Sequence, residues 1–209
     1  MNTKYMKATG LVMLMCLGLS ACAPVMLAGF AGTAMVASDR RTSGAQLADE
    51  TIELRGSARI RDALGERAHV NINSYNRQVL LSGEVATERD KQIVEGLLEK
   101  LENVKAVVNE LSIMQPASLS SRSNDLLLSA KVKAALVDSR DLFANAFKVV
   151  TERGTVYVMG RITQREATSA TNVIRNVNGV NKVVRLFEII SEEELRNLLP
   201  PPAEGKAKK

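Results

Sequence analysis

The sequence has no tryptophan, only 3% aromatic residues, one histidine and two cysteines. With so few aromatic side chains, its cores must be aliphatic, and there is little to stack against nucleic-acid bases. A single histidine, His69, with both cysteines confined to the first 22 residues, cannot build a zinc site or a nucleophile–base pair. No glycine-rich loop has the spacing of a phosphate-binding motif. These absences predict a protein that is not an enzyme, has no metal or cofactor and does not bind nucleic acid.

The N-terminus has the layout of an export signal. Lys4 and Lys7 give it a positive start, and the apolar run from Leu11 to Leu19 is too short to span a bilayer stably. Small residues precede the cysteine in Leu19-Ser20-Ala21-Cys22, and this segment resembles the lipobox of bacterial lipoprotein signal peptides. We therefore predict that residues 1–21 are removed as a signal peptide. The alternative is an ordinary secretory signal with an incidental cysteine.

The lipobox resemblance implies that Cys22 becomes the acylated N-terminus of the mature chain, with palmitate among its acyl groups. Several acyl chains hold a protein on a membrane far more durably than one. Ala23, in place of aspartate, favours sorting to the outer membrane, with the protein facing the periplasm. Cys16 leaves with the signal peptide, so the mature chain has no internal disulfide and its domains depend on packing alone.

Residues 22–45 form the predicted lipidated tether. From Pro24 to Ala37 this segment contains no charge, and Asp39-Arg40-Arg41 then marks a switch to polar sequence. The uncharged part either lies at the lipid surface or acts as a flexible linker of small residues, and its composition fits both.

The mature sequence contains an internal repeat. On the first predicted helix of each copy, residues 58–64 match residues 130–136 at an offset of 72. Further along, residues 79–85 match residues 156–162 at an offset of 77. The difference between the two offsets predicts a five-residue insertion after the first helix of the second copy. A sequence unit of about 70 residues therefore occurs twice.

Each copy has the same predicted order of elements, α-β-β-α-β. In the second copy, Asn124 is the predicted N-cap of a helix whose apolar residues recur at helical spacing. Two β-rich runs flank Glu152-Arg153-Gly154, which predicts a hairpin that ends at Gly160. A helix over 164–176 and a strand over 182–190 complete this copy. The corresponding elements of the first copy are helices near 49–64 and 87–101 and strands near 69–74, 78–84 and 105–113.

The predicted fold class is α+β, with two domains that each pack a three-stranded mixed sheet against two helices. These domains cover residues 46–115 and 124–191. A linker over 116–123 joins them, as its proline and serines indicate. After Ser191, a short helix leads into a C-terminal extension, 192–209, that is predicted to be mostly disordered.

Two motifs recur in both copies. The first, [Ile/Val]-x-x-Ala-Leu, lies on the first helix, at 60–64 and 132–136. The second, [Val/Leu]-x-Gly-x-[Val/Ile], lies at the strand exit, at 81–85 and 158–162. These units resemble the BON domain, and the whole layout is similar to the dual-BON outer-membrane lipoproteins of Gram-negative bacteria. The resemblance covers nearly all of the chain between Cys22 and Ser191, and the C-terminal extension departs from it.

The resemblance implies that the protein binds phospholipid, particularly anionic headgroups, and supports outer-membrane integrity, with enrichment at division sites. It also implies that the helix after the second domain's hairpin, Gln164 to Asn176, faces the membrane.

Charge distinguishes the two copies. Residues 46–115 hold nine Lys/Arg and twelve Asp/Glu, a net charge of −3, whereas residues 124–190 hold ten and six, a net charge of +4. An anionic lipid surface attracts each nearby cation by about 1 kcal/mol, so the second domain is predicted to touch lipid. The candidate lipid-binding residues are Arg165, Thr168, Asn172, Val173, Arg175 and, on the preceding helix, Leu127. Two alternatives remain: the arginines form an ordinary solvated face, and Leu127 packs under a loop.

A second functional hypothesis is a protein adaptor for envelope assembly or cell-wall remodelling. In that case the acidic first domain or an exposed sheet edge binds an envelope protein. The opposite charges of the two domains also permit them to dock on each other, which would occupy part of both surfaces.

Overall fold

The structure is a computed structural model that describes residues 39–198. The predicted signal peptide, Cys22 with most of the tether, and the chain from residue 199 onward lie outside the described residues. Between these limits the chain forms two units with the predicted order α-β-β-α-β, and a short helix follows them. The predicted α+β fold is confirmed.

The first unit opens with helix α1 (Ser43–Leu64) and a short 3-10 turn (Gly65–Arg67). Strands β1 (His69–Tyr75) and β2 (Gln78–Val85) form an antiparallel hairpin, and helix α2 (Glu88–Glu99) follows. Two short strands, β3 (Ala106–Asn109) and β4 (Ser112–Ile113), then pair in parallel with β2. The result is a mixed sheet in the order β1-β2-β3.

The second unit opens with helix α3 (Leu119–Asp138) and a 3-10 turn (Ala144–Ala146). Strands β5 (Phe147–Glu152) and β6 (Thr155–Thr163) form its antiparallel hairpin, and helix α4 (Gln164–Arg175) follows. Strand β7 (Lys182–Ile190) pairs in parallel with β6, giving the order β5-β6-β7. Helix α5 (Glu192–Leu198) ends the described chain.

Both first helices begin earlier than the sequence pattern predicts. The side chain of Thr42 accepts a hydrogen bond from Ala45 N, and that of Ser118 accepts one from Ser121 N, so these residues are the N-caps. The prediction that Asn124 caps α3 is therefore wrong, because Asn124 lies exposed inside the helix. The helix takes up most of the predicted linker, and α1 likewise begins inside the predicted tether.

The β5–β6 hairpin ends at Gly160 as predicted: the last antiparallel pair joins Phe147 to Gly160, and β6 then continues to Thr163 paired with β7. A Cβ at position 160 would lie 2.7 Å from the carbonyl oxygen of Ala146, so this glycine permits a close approach of backbone within the sheet. In the first unit, the third strand is interrupted at residues 110–111. There the side chain of Asn109 accepts a hydrogen bond from Leu111 N, while Glu110 N still donates to Leu81 O, and the register with β2 is the same on both sides of the interruption.

A buried aspartate on each first helix caps the turn of the following hairpin. Asp49 accepts hydrogen bonds from the backbone N–H groups of Asn76 and Arg77 at 2.8 and 2.7 Å. Asp125 accepts them in the same way from Arg153 and Gly154, at 2.9 and 3.0 Å. All four turn residues have positive φ, as a tight type I′ hairpin requires. The two aspartates are therefore structural equivalents.

This equivalence corrects the alignment of the repeat. Asp49 and Asp125 are 76 residues apart, and the buried positions 52, 56 and 60 of α1 correspond at the same offset to 128, 132 and 136 of α3. The hairpin turns correspond at 77, so the second copy has one extra residue before its hairpin and not five. The offset of 72 is wrong by four residues, about one helical turn.

Each sheet uses its two faces differently. In β2, Val79 and Leu81 join the core beneath α1 and α2, whereas Leu80 points to the opposite face. In β6, Val156 and Val158 face their own helices, whereas Tyr157 and Met159 point away.

The faces that carry no helices pack against each other. Leu80 and Met159 are fully buried in an apolar cluster with Tyr75 and Tyr157. The two domains are therefore docked sheet to sheet, with their helical layers on opposite outer sides.

Candidate membrane-binding surface

Helix α3 carries a second apolar face that points to solvent. Its core face is formed by Leu128, Val132 and Leu136. On the opposite side, Leu119, Leu126 and Val137 recur at intervals of seven and eleven residues, which places them on one helical face. These three side chains are 80%, 73% and 67% exposed.

Smaller and flanking side chains widen this face. Ala130 and Ala134 are exposed within it, and Leu127 is 62% exposed at its margin. We call the set formed by Leu119, Leu126, Leu127, Ala130, Ala134 and Val137 the α3 stripe. Lys131 and Lys133 are exposed beside it. An apolar strip flanked by lysines is typical of helices that lie at a membrane interface.

The predicted surface on α4 has a different character. Arg165, Thr168, Asn172 and Arg175 are exposed and share one side of the helix, whereas Val173 is half-buried against the core. This side has no large exposed apolar residue. Arg165 also lies 3.5 Å from the carboxylate of Glu192 on α5, and this contact offsets part of its charge.

The structure thus divides the six candidate lipid-binding residues between two helices. Five lie on α4, and Leu127 lies on α3 beside a cavity of about 340 Å³ that reaches the turn at Gly179. Leu119 lies outside the helix predicted from the sequence, which begins at Asn124, so the pattern did not show that Leu119, Leu126 and Val137 share one face. When the helix starts after its Ser118 cap, the spacing of Leu119, Leu126 and Val137 indicates a second apolar face.

The segment Asp39–Arg41, which we call the clasp, holds the start of the described chain against the second domain. The guanidinium of Arg40 forms two hydrogen bonds of 2.7 Å with the carboxylate of Glu166, and both side chains are almost completely buried. Glu166 also completes the capping box of α4 with Thr163. Arg40 and Arg161 each donate to the other's backbone carbonyl.

The clasp also reaches the first domain. Arg41 donates to Asp49 at 2.8 Å, and its guanidinium lies 4.4 Å from the ring centroid of Tyr75. The hydroxyl of Tyr75 in turn donates to the backbone oxygen of Ala146 in the second domain. Two consecutive residues of the predicted tether therefore contact one domain each, Arg40 the second and Arg41 the first, and Asp39 pairs with Arg41. Residues 39–45 belong to the folded structure.

A second buried carboxylate joins the domains at the other end of β2. Glu84 is 1% exposed, and it accepts hydrogen bonds from the guanidinium of Arg153 at 2.7 and 3.0 Å. The Nδ1 atom of His69 lies 3.0 Å from its other oxygen. Lys148 adds a further ion pair across the interface, 2.6 Å from Glu53. Acidic residues of the first domain therefore pair with basic residues of the second beside the apolar cluster that joins the two sheets.

The pKa values of the two buried glutamates, Glu84 and Glu166, are lowered. Burial alone would raise the pKa of Glu166, but the hydrogen bonds from Arg40 and Thr163 outweigh it and hold this pKa below its usual range. Burial opposes ionisation of Glu84 as well, and the hydrogen bonds from Arg153 and His69 lower its pKa in the same way. Both carboxylates therefore act as charged partners that stabilise the folded state near neutral pH.

Two further observations bear on the type of site. Across residues 39–198, no helix is long and apolar enough to cross a bilayer. The same residues contain no cluster of three or more histidine, cysteine or acidic side chains arranged to hold a metal ion.

Known proteins share this organisation. The BON domain family matches residues 49–115 and 124–191. Over 174 residues the chain is 33% identical to the outer membrane lipoprotein DolP of Haemophilus influenzae, a match that covers 82% of this chain and 90% of that protein. Over 154 residues it is 32% identical to a 21 kDa hemolysin of Actinobacillus pleuropneumoniae, covering 73% of this chain and 79% of the relative.

A similarity among solved structures is much weaker. CdsD, a structural protein of the type III secretion system of Chlamydia trachomatis, is 17% identical, with a TM-score of 0.29. That match covers 69% of this chain and 96% of the CdsD chain. At this level it bears on neither the fold nor the function of the present protein.

The two matched stretches, each with its hairpin, its helices and its mixed sheet, place the chain in the BON-domain family. Because both copies are present and the similarity extends over most of the chain, it is a dual BON-domain protein of the DolP type. The same similarity supports its assignment to the outer-membrane lipoproteins.

Proposed function

We propose that the second BON domain binds anionic phospholipid and that the protein thereby supports outer-membrane integrity, including at division sites. In this proposal an acylated Cys22 anchors the chain in the outer membrane, and the domains face the periplasm. The first domain serves as a scaffold.

The observation that carries the proposal is the α3 stripe. Large apolar side chains on a soluble surface are unremarkable singly, but a continuous patch indicates a binding site. Leu119, Leu126 and Val137 are all more than 60% exposed on one face, and lysines lie beside them. The polar face of α4 offers two arginines and no apolar side chain that could enter the acyl region. We therefore assign the main lipid contact to α3, with the α4 residues as peripheral headgroup contacts.

The energies of these groups suit a reversible contact. A leucine that leaves water completely contributes about 2 kcal/mol, and a lysine near an anionic surface about 1 kcal/mol. Three leucines and two lysines thus supply up to about 8 kcal/mol before the loss of side-chain and rotational freedom is subtracted. Because the acyl anchor already keeps the domain at the surface, a weak net affinity is sufficient to choose its lipid environment.

The experiment is a titration of the soluble Cys22→Ser chain with micelles, followed by amide NMR. With anionic phosphatidylglycerol-containing micelles, the amides of residues 119–137 should shift and broaden, and zwitterionic micelles should have a much smaller effect. Leu126→Ser combined with Leu127→Ser should weaken binding at least tenfold.

Leu54→Ser provides the matched control, because Leu54 is 73% exposed on α1, the same fraction as Leu126 on α3. This variant should bind as the parent does. If the shifts are confined to residues 164–175, the lipid contact lies on α4 and the assignment to α3 is wrong. If the Leu54 variant weakens binding as much as the Leu126 and Leu127 variant does, the α3 stripe is not the binding surface. In cells that lack the protein, the parent chain should restore the barrier to large antibiotics, and the double leucine variant should not.

A further inference from the structure

A groove of about 540 Å³ runs along one side of the interface between the two domains. Strand β1 of the first sheet and strand β5 of the second line its floor, and helices α1 and α3 form its walls. Both strands are at the edge of their sheets, and neither has a second strand partner in the described part of the chain. Edge strands present backbone N–H and C=O groups that an added strand can pair with.

The two edge strands lie side by side without pairing to each other. The side-chain amide of Asn71 donates to the carboxylate of Glu152 at 3.2 Å, and Lys148 donates to the backbone oxygen of Ser74 at 3.1 Å. The residue number rises from 71 to 74 along β1 while that of its neighbour falls from 152 to 148 along β5, so the two strands run antiparallel and are bridged by side chains. Between these bridges the two strands form no backbone ladder, and the edge of β5 over Val149–Glu152 lines the groove.

Helix α3 presents a row of four side chains to this groove, and they are Arg122, Leu126, Ser129 and Lys133. Their spacing of four, three and four residues places them on one helical face. From Arg122 to Lys133 the helix rises about 16 Å. An extended chain rises about 3.3 Å per residue, so the row is as long as five residues of a strand.

Two cations, Arg122 and Lys133, line the groove. The Nε atom of Arg122 is buried without a hydrogen-bond partner. Neither Arg122 nor Lys133 is among the ion pairs of residues 39–198. The acidic lining residues accept hydrogen bonds from neutral groups, Asp125 from the hairpin turn and Glu152 from Asn71, and neither forms an ion pair within residues 39–198.

We propose that this groove binds an extended acidic segment of a partner protein, which adds as a strand to the free edge of β5. Residues four apart in a strand point to the same side and are separated by about 13 Å, so two acidic residues at that spacing reach Arg122 and Lys133. The residue midway between them faces Leu126 and Ser129 and is apolar or small. The recognised pattern is acid-x-apolar-x-acid in an extended conformation. Backbone pairing supplies affinity, and the two cations supply specificity.

The test uses the full mature chain with Cys22→Ser and a seven-residue capped peptide. The peptide has glutamate at its second and sixth positions, valine at its fourth and threonine elsewhere. In an amide NMR titration, the shifts should saturate and cluster at residues 149–152 and 69–73. A peptide with lysine in place of both glutamates, and one N-methylated at alternate residues, should each bind at least tenfold more weakly.

Variants on α3 separate the groove from the rest of that helix. Lys133→Glu should weaken peptide binding at least fivefold, whereas Lys131→Glu, an exposed charge two residues away and outside the groove row, should leave it unchanged. Both variants should keep the dispersed spectrum of the folded chain, since both side chains are exposed.

Several results would overturn the proposal. These are the absence of saturable shifts at 149–152, equal binding of the lysine peptide or the N-methylated peptide, and equal effects of the two lysine variants. If anionic micelles shift the groove amides while the peptide does not, the cations of the groove serve lipid headgroups and the peptide site is refuted. The proposal can be separated from lipid binding by the α3 stripe, because Leu119 and Leu127 lie outside the groove lining. Leu119→Ser combined with Leu127→Ser should weaken micelle binding and leave peptide binding unchanged.

Discussion

Replacing Glu166 with glutamine tests whether the clasp stabilises the whole fold. The substitution preserves the shape of the side chain and removes its charge. It leaves the guanidinium of Arg40, which is only 2% exposed, without its ionic partner. Removing one partner of a buried ion pair costs about 3–5 kcal/mol, because the remaining charge stays desolvated.

The magnitude is large enough to measure by a simple assay. For a chain of this length, each kcal/mol lowers Tm by about 2–4 °C, so Glu166→Gln should lower Tm by roughly 10 °C. The protein has no tryptophan, and far-UV circular dichroism during urea and thermal unfolding is therefore the appropriate signal. The lost stability should be equally visible in the soluble Cys22→Ser chain.

A double variant separates the loss of charge from the loss of packing. Arg40→Met combined with Glu166→Leu removes both charges and keeps much of the buried volume, so it should recover most of the stability that Glu166→Gln loses. If Glu166→Gln changes the free energy of unfolding by less than about 1 kcal/mol, the pair is not a buried ionic contact in solution. If the double variant is no more stable than the single one, the clasp acts through specific hydrogen bonds and the charge argument is refuted.

The remaining predictions concern pH and the hairpin turns. Because the pKa values of Glu84 and Glu166 lie below the usual value of about 4.3, their contribution is fully present above that pH and is lost as the pH falls through the folded-state values. The urea midpoint should therefore drop between pH 6 and pH 3, and a flat profile would contradict the assignment. Asp125→Ala leaves two backbone N–H groups of the β5–β6 turn unpaired, which should cost about 1–3 kcal/mol in urea unfolding. Asp138→Ala, at an exposed position of the same helix, is its control and should cost little.

The strands were the most predictable part of the fold. The predicted strand over 182–190 coincides with β7, and the hairpins were placed within a few residues. Runs of β-branched and apolar residues between glycine- and asparagine-containing turns carry that information locally. The exception is the interruption of the third strand of the first unit at residues 110–111, beside the hydrogen bond from Leu111 N to the side chain of Asn109.

Helix starts and the helical alignment were less predictable for a physical reason. Ser118 and Asn124 are both favourable N-cap residues, and sequence alone did not distinguish them. A shift of four residues moves a helix by about one turn and keeps its apolar face in place, so the offsets of 72 and 76 both align apolar residues. Only the contact of each aspartate with its hairpin turn decides between them.

The sequence prediction and the proposed lipid surface overlap in part. Both lie in the second domain and share Leu127, whereas the sequence prediction places most of its residues on α4 and the proposal places the main contact on α3. The clasp was not predictable by these means, because Arg40 pairs with Glu166 across 126 positions of sequence. Nothing in a run of Asp39-Arg40-Arg41 distinguishes a folded contact from a solvated tether.

The sheet-to-sheet docking of the domains has an electrostatic consequence. Both sheets lie between the outer face of the α1 layer and that of the α3 layer, and stacked sheets alone lie about 10 Å apart. At physiological ionic strength, charges more than about 8 Å apart in solvent are largely screened from each other. If α3 lies on the membrane as proposed, the acidic residues on the outer side of the first domain would be screened from anionic lipid. A negatively charged domain would then be carried on an anionic membrane without weakening the attachment.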